Sequence, residues 1–403
     1  MRAQPLSISQ ASVAHERAIL DWLMRGTHCR PNIEDIFTEL CKKLLAAGLP
    51  LARASLHFRV HHPQWVGTRI IWNRGSSAAE LQTVGYHVEG TPEFLDSPLR
   101  DITLGAGPIR QRLDAVETGI RHYSFFTELK AAGMSDYLAL PLDHTLGKRH
   151  LVSFASDAMP GFADEHIDMM GNILPALALV SEIRVKNQLA RTLLETYVGP
   201  HASEQILEGA TTRGSGATVG AAIILCDLRN FTALSHSRPR DLVIELLNGY
   251  FDAVAEPIEK YGGEILKFMG DGLLAAFPLS DSRACSNLLR AICEARSAIG
   301  RLNDSVRSSG LEPLEYGMGV HVGDVMYGNI GSRSRLDFTV IGAVVNVASR
   351  LEGLTKTVQR PVLFSEAFVK LAGCQDVLEN MGEHHLRGLG DPIGVFAFRP
   401  GFA

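Results

Sequence analysis

The chain has 403 residues, enough for two or three domains of ordinary size, and 46% of them are hydrophobic, ample for packed cores. Its net charge of −5 argues against a dedicated nucleic-acid binder, which would carry a basic excess, but leaves room for a local basic pocket facing a phosphate. Six scattered cysteines with no CxxC pair, no signal-peptide pattern after Met1 and no apolar run long enough for a bilayer predict a soluble, reduced, cytoplasmic protein.

Residues 15–47 read as two helices, the second carrying Ile36, Phe37, Leu40, Leu44 and Leu45 at helical spacing before Gly48 and Pro50 stop it. Strands are predicted at 53–60, with Ala54, Leu56, Phe58 and Val60 alternating, and at 66–72. The stretch 75–133 is mixed. Two more strands follow at 137–142 and 150–155, then a helix from about Asp164. This order of helices, strand pair, variable middle, strand pair and long exit helix resembles the GAF/PAS class of small-molecule sensor domains. The resemblance implies an α+β sensor over 1–170 for an unidentified small-molecule or protein signal. Among its histidines, His57, His61, His62, His122 and His150 have no second ligand at motif spacing, so surface or hydrogen-bonded histidines are expected rather than haem or metal ligands.

In the exit helix, Ile173, Ala176, Val180, Ile183, Asn187, Ala190, Leu194 and Tyr197 alternate by three and four, the seam of a coiled coil, with Asn187 placed to fix register in a parallel homodimer. Such a helix would extend about 37 Å. Pro175 fits best in its first turn. Gly199 and Pro200 end it, a short helix follows at 202–207, and 211–216 reads as a flexible polar linker. A linker over 171–217 is therefore expected between the sensor and the remaining residues, 218–403.

From 218 the pattern is strand (218–227), helix (240–260), hairpin (264–277), helix (282–307), strands (314–323, 325–329 and 336–341), helix (345–353), strand (361–364), helix (365–371) and two final strands (376–386 and 393–398). Its first part is the βαββαβ order of ferredoxin-like or polymerase-palm folds, in which the first strand and the hairpin are neighbours. That arrangement would bring Asp227, at the end of an apolar strand, to Asp271, in a Gly-Asp-Gly turn. Two carboxylates without a cation repel. They become useful with divalent metal between them and a polyphosphate oxygen as further ligand. Backbone N–H groups of the stretch Leu228 to Thr232, Phe231 included, would face such a polyphosphate at a helix start.

The ordered segments Leu225-Cys226-Asp227-Leu228-Arg229-Asn230-Phe231-Thr232, Lys267-Phe268-Met269-Gly270-Asp271, Gly328-Asn329-Ile330-Gly331-Ser332 and Asp337-Phe338-Thr339-Val340-Ile341-Gly342, followed by Val345-Asn346-Val347-Ala348-Ser349-Arg350-Leu351-Glu352, resemble the catalytic domain of class III nucleotidyl cyclases. The resemblance implies that Asp227 and Asp271, with the Leu228 carbonyl, hold two Mg²⁺ or Mn²⁺ ions per active site. It implies that Lys267 and Thr339 select the purine, and a lysine donor suits the N1 acceptor of adenine. It makes Asn346 and Arg350, four apart on one helix face, the transition-state pair. Arg387 would reach the terminal phosphates, with Arg333 or Arg335 assisting. Ala343 departs from the Asp or Asn often found there. The expectation is a homodimeric adenylate cyclase that converts ATP to 3′,5′-cyclic AMP and pyrophosphate at sites shared between two chains. The alternatives are a guanylate cyclase and a non-catalytic nucleotide-binding regulator.

Overall fold

Apolar residues spaced by three and four build the first helices. In α2 (Ile33–Ala46), Ile33, Ile36, Phe37, Leu40, Cys41 and Leu44 are all buried on one stripe, with Glu34 and Asp35 in the first turn and Lys43 in the last. It follows α1 (Ile8–Arg25). The computed structural model describes residues 8–60, 65–114 and 123–401, in two compact units that divide between Leu193 and Leu194. His61, His62 and His122 lie outside the described residues.

The first unit continues with β1 (Arg53–Arg59), β2 (Gly67–Asn73), β3 (Glu80–Val84), the short helices α3 (Pro92–Leu95) and α4 (Pro98–Thr103), β4 (Ile109–Arg112), α5 (Ser124–Ala131), β5 (Asp136–Asp143), β6 (Arg149–Ser156) and α6 (Asp164–Val198). The strands form one antiparallel sheet in the order β3-β2-β1-β6-β5-β4. Alternation along β1 sends Ala54, Leu56 and Phe58 into a core shared with α1, α2 and α6. The opposite face meets α4 and α5 through Leu151, Ala155, Tyr137, Ile102 and Phe126. His150 accepts from the Arg59 backbone N–H through Nδ1 at 3.2 Å. His57 lies 2.9 Å from Ser55 Oγ.

The helix expected to carry the seam runs from Asp164 to Val198, within the limits read from the sequence, but the first three of the eight seam residues are already used. Ile173, Ala176 and Val180 are buried in the first unit's own core. Ile183, Asn187, Ala190 and Tyr197 are exposed and Leu194 is half-buried. Spacing alone does not distinguish a stripe packed on its own domain from one packed on a second chain. Pro175 sits within the helix rather than in its first turn, because the helix begins at Asp164.

The second unit contains α7 (Pro200–Leu207), β7 (Gly216–Leu228), α8 (Phe231–Ser237), α9 (Arg240–Lys260), β8 (Glu264–Met269), β9 (Gly272–Pro278), α10 (Ala284–Ser308), β10 (Tyr316–Gly331), β11 (Leu336–Ile341), α11 (Ala343–Val358), β12 (Val362–Ser365), α12 (Glu366–Ala372), β13 (Leu378–His384) and β14 (Ile393–Phe398). The sheet runs β13-β14-β12-β10-β7-β9-β8, with β11 on β10. Its four strands β10-β7-β9-β8 pair antiparallel in the ferredoxin-like order, joined by α9 and α10, which share the larger core with them. The other face carries α11. It lies directly on β10 because Gly319 has no side chain: a Cβ there would stand 2.1 Å from the Ala348 carbonyl oxygen.

Two expectations change. The strands predicted at 314–323 and 325–329 are one strand, paired with β7 from Tyr316↔Leu228 to Gly328↔Gly216, so a long partner overrides the local break at Gly323-Asp324. The stretch 211–216, expected to be flexible, is tied to β10. Gly214 N–H donates to Asn329 O at 2.9 Å, Asn329 N–H donates to Ser215 O at 2.9 Å, and the buried Asn329 side chain donates to Ala210 O at 2.6 Å.

Candidate active site

The site is built from strand ends. Asp227 is the penultimate residue of β7, and Asp271 occupies the turn between β8 and β9, which Gly270 closes with a φ of 69°. The β7–β9 pairing, Cys226↔Leu273, brings the turn to the end of β7. The two carboxyls meet within hydrogen-bonding reach, and the Asp227 carboxyl is pushed up to about 6 by burial, then by the charges of Asp271 and Glu352 and the shared hydrogen bond. A half-buried carboxyl pair with a raised pKa is a site that a divalent cation would relieve, and oxygen donors suit Mg²⁺ or Mn²⁺. Leu228 follows directly, its side chain buried. Among the described residues no group of three or more His, Cys, Asp and Glu side chains converges to hold a metal, so the protein supplies two carboxylates here.

Lys267 leaves β8 at a bulge between Ile265 and Lys267 and is exposed. Its Nζ is 2.6 Å from Asp337 Oδ2 on β11, and this contact holds the Asp337 carboxyl below the usual range. Thr339 is two residues further on β11 and shares the face of Asp337, opposite Gly328 of β10. The strand pattern thus brings Lys267 to the strand that carries Thr339. Phe338 points the other way and packs edge-on against Tyr327, with ring centroids 4.8 Å apart.

Asn346 and Arg350 are both exposed on α11, one turn apart. Val344, Val347, Ala348, Leu351 and Thr355 hold the other face of that helix in the core. Ala343 is its first residue and is exposed. Arg387 is exposed in the connection between β13 and β14. Arg333 and Arg335 lie in the turn between β10 and β11, where Arg335 N–H donates to Ser332 Oγ at 3.0 Å. Phe231 and Thr232 open α8 after Asn230, which adopts a φ of 58°.

A cavity of about 1,390 Å³ in this unit is lined by Lys267, Phe268, Arg335, Asp337 and Phe338 among others. Asp227, Asp271, Asn346 and Arg350 are not among its lining residues. The cavity beside Lys267 therefore holds neither the carboxylate pair nor the polar face of α11.

Two participants escaped the sequence reading. Asp337 belongs beside Lys267, and its two-residue separation from Thr339 on a strand was the available signal. Glu352 closes the motif two residues after Arg350, and a helix turns positions two apart to different sides. Glu352 is buried, its Oε1 has no hydrogen-bond partner among the described residues, burial raises its pKa, and its charge acts on Asp227.

Residues 217–398 match a family model described as the adenylate and guanylate cyclase catalytic domain. An adenylate cyclase of Anabaena cylindrica is 34% identical over 185 residues, covering 45% of this chain and 35% of that one. Adenylate cyclase 1 of Rhizobium meliloti is 34% identical over 248 residues, covering 60% of this chain and 37% of that one. The matched region thus spans little more than a third of the length of these curated relatives. Among solved structures, the guanylyl cyclase Cya2 shares 32% identity over 45% of this chain and 93% of its own, with a TM-score of 0.41. A bacterial light-regulated adenylyl cyclase shares 30% identity over 45% of this chain and 91% of its own, with a TM-score of 0.40. No helix among the described residues is long and apolar enough to cross a membrane.

Proposed function

Residues 217–398 are a class III nucleotidyl cyclase catalytic domain, and from this premise we propose that the chain is an adenylate cyclase, converting ATP to 3′,5′-cyclic AMP and pyrophosphate. The observation that carries the reading is the Asp227–Asp271 pair, two carboxyls in contact at the end of β7 with one of them pushed up to about 6. Mg²⁺ or Mn²⁺ bound there, with the Leu228 carbonyl as a further ligand, would activate the ribose 3′ oxygen and stabilise the leaving group. The new bond joins that oxygen to the α-phosphorus, and the bond from the α-phosphorus to the bridging oxygen breaks as pyrophosphate leaves.

The chain's own side chains supply the rest. Lys267 donates to the N1 acceptor of adenine, and the N1–H of guanine would oppose the same donor. Thr339 completes the base contact. Asn346 orients the ribose, and Arg350 stabilises charge that develops on the α-phosphate. Arg387 and the backbone at Phe231 and Thr232 face the terminal phosphates.

A homodimer joins the groups that one chain holds apart: one protomer gives Asp227 and Asp271, its partner gives Lys267, Thr339, Asn346 and Arg350. Supporting this, Phe268, Met269, Met326 and Ile341 are large apolar side chains left exposed close to these residues in sequence and strand pairing. The rest of the α6 seam, from Ile183 to Tyr197 and mostly exposed, would continue the contact. In the first unit, an antiparallel sheet with helices on both faces supports a GAF-like regulatory role.

The test is nucleotide preference. Wild type makes cyclic AMP from ATP in preference to cyclic GMP from GTP, and Lys267→Glu with Thr339→Cys shifts the preference toward GTP. An unchanged preference in that double variant would remove the base-selecting roles.

A further inference from the structure

The first unit contains a cavity of about 490 Å³ that cyclase chemistry does not use. Its floor is the sheet face turned away from the main core. On β1 that face is Arg53, Ser55 and His57, spaced by two, while Ala54, Leu56 and Phe58 go to the core. Arg69 comes from β2, Ser153 from β6 and Tyr137 from β5. Val84, Val88, Phe94, Leu99, Phe125 and Leu129 supply apolar walls. The volume lies in the range of small-molecule sites and far exceeds the water-sized voids of an ordinary core.

The polar groups on the floor divide into two sets. The neutral set satisfies itself: Ser55 Oγ is 2.9 Å from His57 Nε2 and 2.7 Å from Ser153 Oγ, and Tyr137 hydrogen-bonds to Ser153. The two guanidinium groups are different. Arg69 uses its Nε on Gln82 Oε1 at 2.6 Å, and Arg53 donates no side-chain hydrogen bond among the described residues. Neither pairs with a carboxylate among the described residues. Of the acids at the cavity, Glu89 is taken by Arg59 at 2.7 Å, and Glu93 and Glu128 are exposed. His57 is pushed down to about 4 by burial and then by Arg69 and Arg53, so it stays neutral at pH 7 and the two arginines set the charge of the floor.

From this arrangement we infer that the cavity binds a small organic anion, an aromatic or aliphatic acid whose charged head meets Arg53 and Arg69 and whose apolar body fills the space under Val84 to Leu129. A guanidinium recognises a carboxylate or a similar oxyanion with paired, charge-assisted hydrogen bonds. A bound anion also meets the like charges of the half-buried Arg53 and the exposed Arg69, neither of which has a carboxylate partner among the described residues. This site is independent of the reaction assigned to the second unit.

The experiment uses the full chain and two fluorescent probes of one skeleton, the anion 1-anilinonaphthalene-8-sulfonate and the neutral N-phenyl-1-naphthylamine. Wild type should bind one sulfonate per chain. Arg53→Met and Arg69→Met should each weaken the sulfonate about tenfold and leave the neutral probe nearly unchanged. Ser153→Phe, which fills the cavity, should remove both. A measurement on unmutated protein makes the same distinction without a folding question: 1-naphthoate should displace the sulfonate at a concentration about tenfold lower than its neutral alcohol, 1-naphthalenemethanol. Binding of neither probe, equal losses of both in the arginine variants, equal displacement by acid and alcohol, or sulfonate binding that survives Ser153→Phe would each overturn the inference.

Discussion

Replacing Asp227 by Asn should stabilise the metal-free second unit while removing its activity. The folded-state pKa of Asp227 is about 6 and its ordinary value is 3.8. A carboxyl whose pKa is raised on folding favours the folded state below 3.8, and that contribution is lost as the pH climbs through 6. The shift corresponds to about 3 kcal/mol for a fully buried group, and Asp227 is only half-buried, so about 1.5 kcal/mol remains after allowance for solvent screening. At pH 8 without divalent ions the variant should therefore unfold about 3 to 6 °C above wild type. By pH 5, where most of Asp227 is already protonated in the folded protein, the gap should shrink by about half. Saturating Mn²⁺ should stabilise wild type and narrow or reverse the gap at pH 8, because the variant has lost a ligand. Differential scanning calorimetry reads both units, whereas tryptophan fluorescence reads the first alone, since Trp22, Trp65 and Trp72 all precede Leu194. A variant less stable than wild type at pH 8 without metal, or a gap independent of pH, would refute the reasoning.

Two further predictions follow from the same geometry. Asp337→Asn should leave stability within about 0.5 kcal/mol, because the pair with Lys267 is exposed, yet lower the preference for ATP over GTP by about three- to tenfold as Lys267 loses its orientation; steady-state kinetics on both nucleotides would show it, and an unchanged ratio would confine Asp337 to the surface. Mixing Asp227→Ala with Asn346→Ala chains should recover about a quarter of wild-type activity, since half of the randomly formed dimers are mixed and each carries one intact site of two; no recovery would sink the shared site.

Much of the second unit was legible because its signals are local. Asp227 ends an unbroken apolar strand, Asp271 sits between two glycines, and Asn346 and Arg350 share a helix face by simple spacing. α9 begins and ends where its periodicity does, at Arg240 and Lys260. The misreadings come from partners distant in sequence. β10 continues through Gly323-Asp324 because β7 runs beside it for its whole length. Ile173, Ala176 and Val180 fit a dimer seam by spacing, but the first unit's sheet and α2 had already taken them. Glu352 stands two residues from the exposed Arg350, and only the seating of α11 on Gly319 shows that it is buried, with its charge acting on Asp227. The cavity over Arg53 and Arg69 needed the whole sheet, since its floor gathers residues from four strands.

The most direct test of the central claim is product formation by the purified full chain with ATP or GTP, in Mg²⁺ and in Mn²⁺, beside Asp271→Ala. The account predicts cyclic AMP and pyrophosphate in equal amounts from ATP with wild type, and neither above background with Asp271→Ala. Equal product from Asp271→Ala, or no cyclic nucleotide from wild type under any of these conditions, would contradict it.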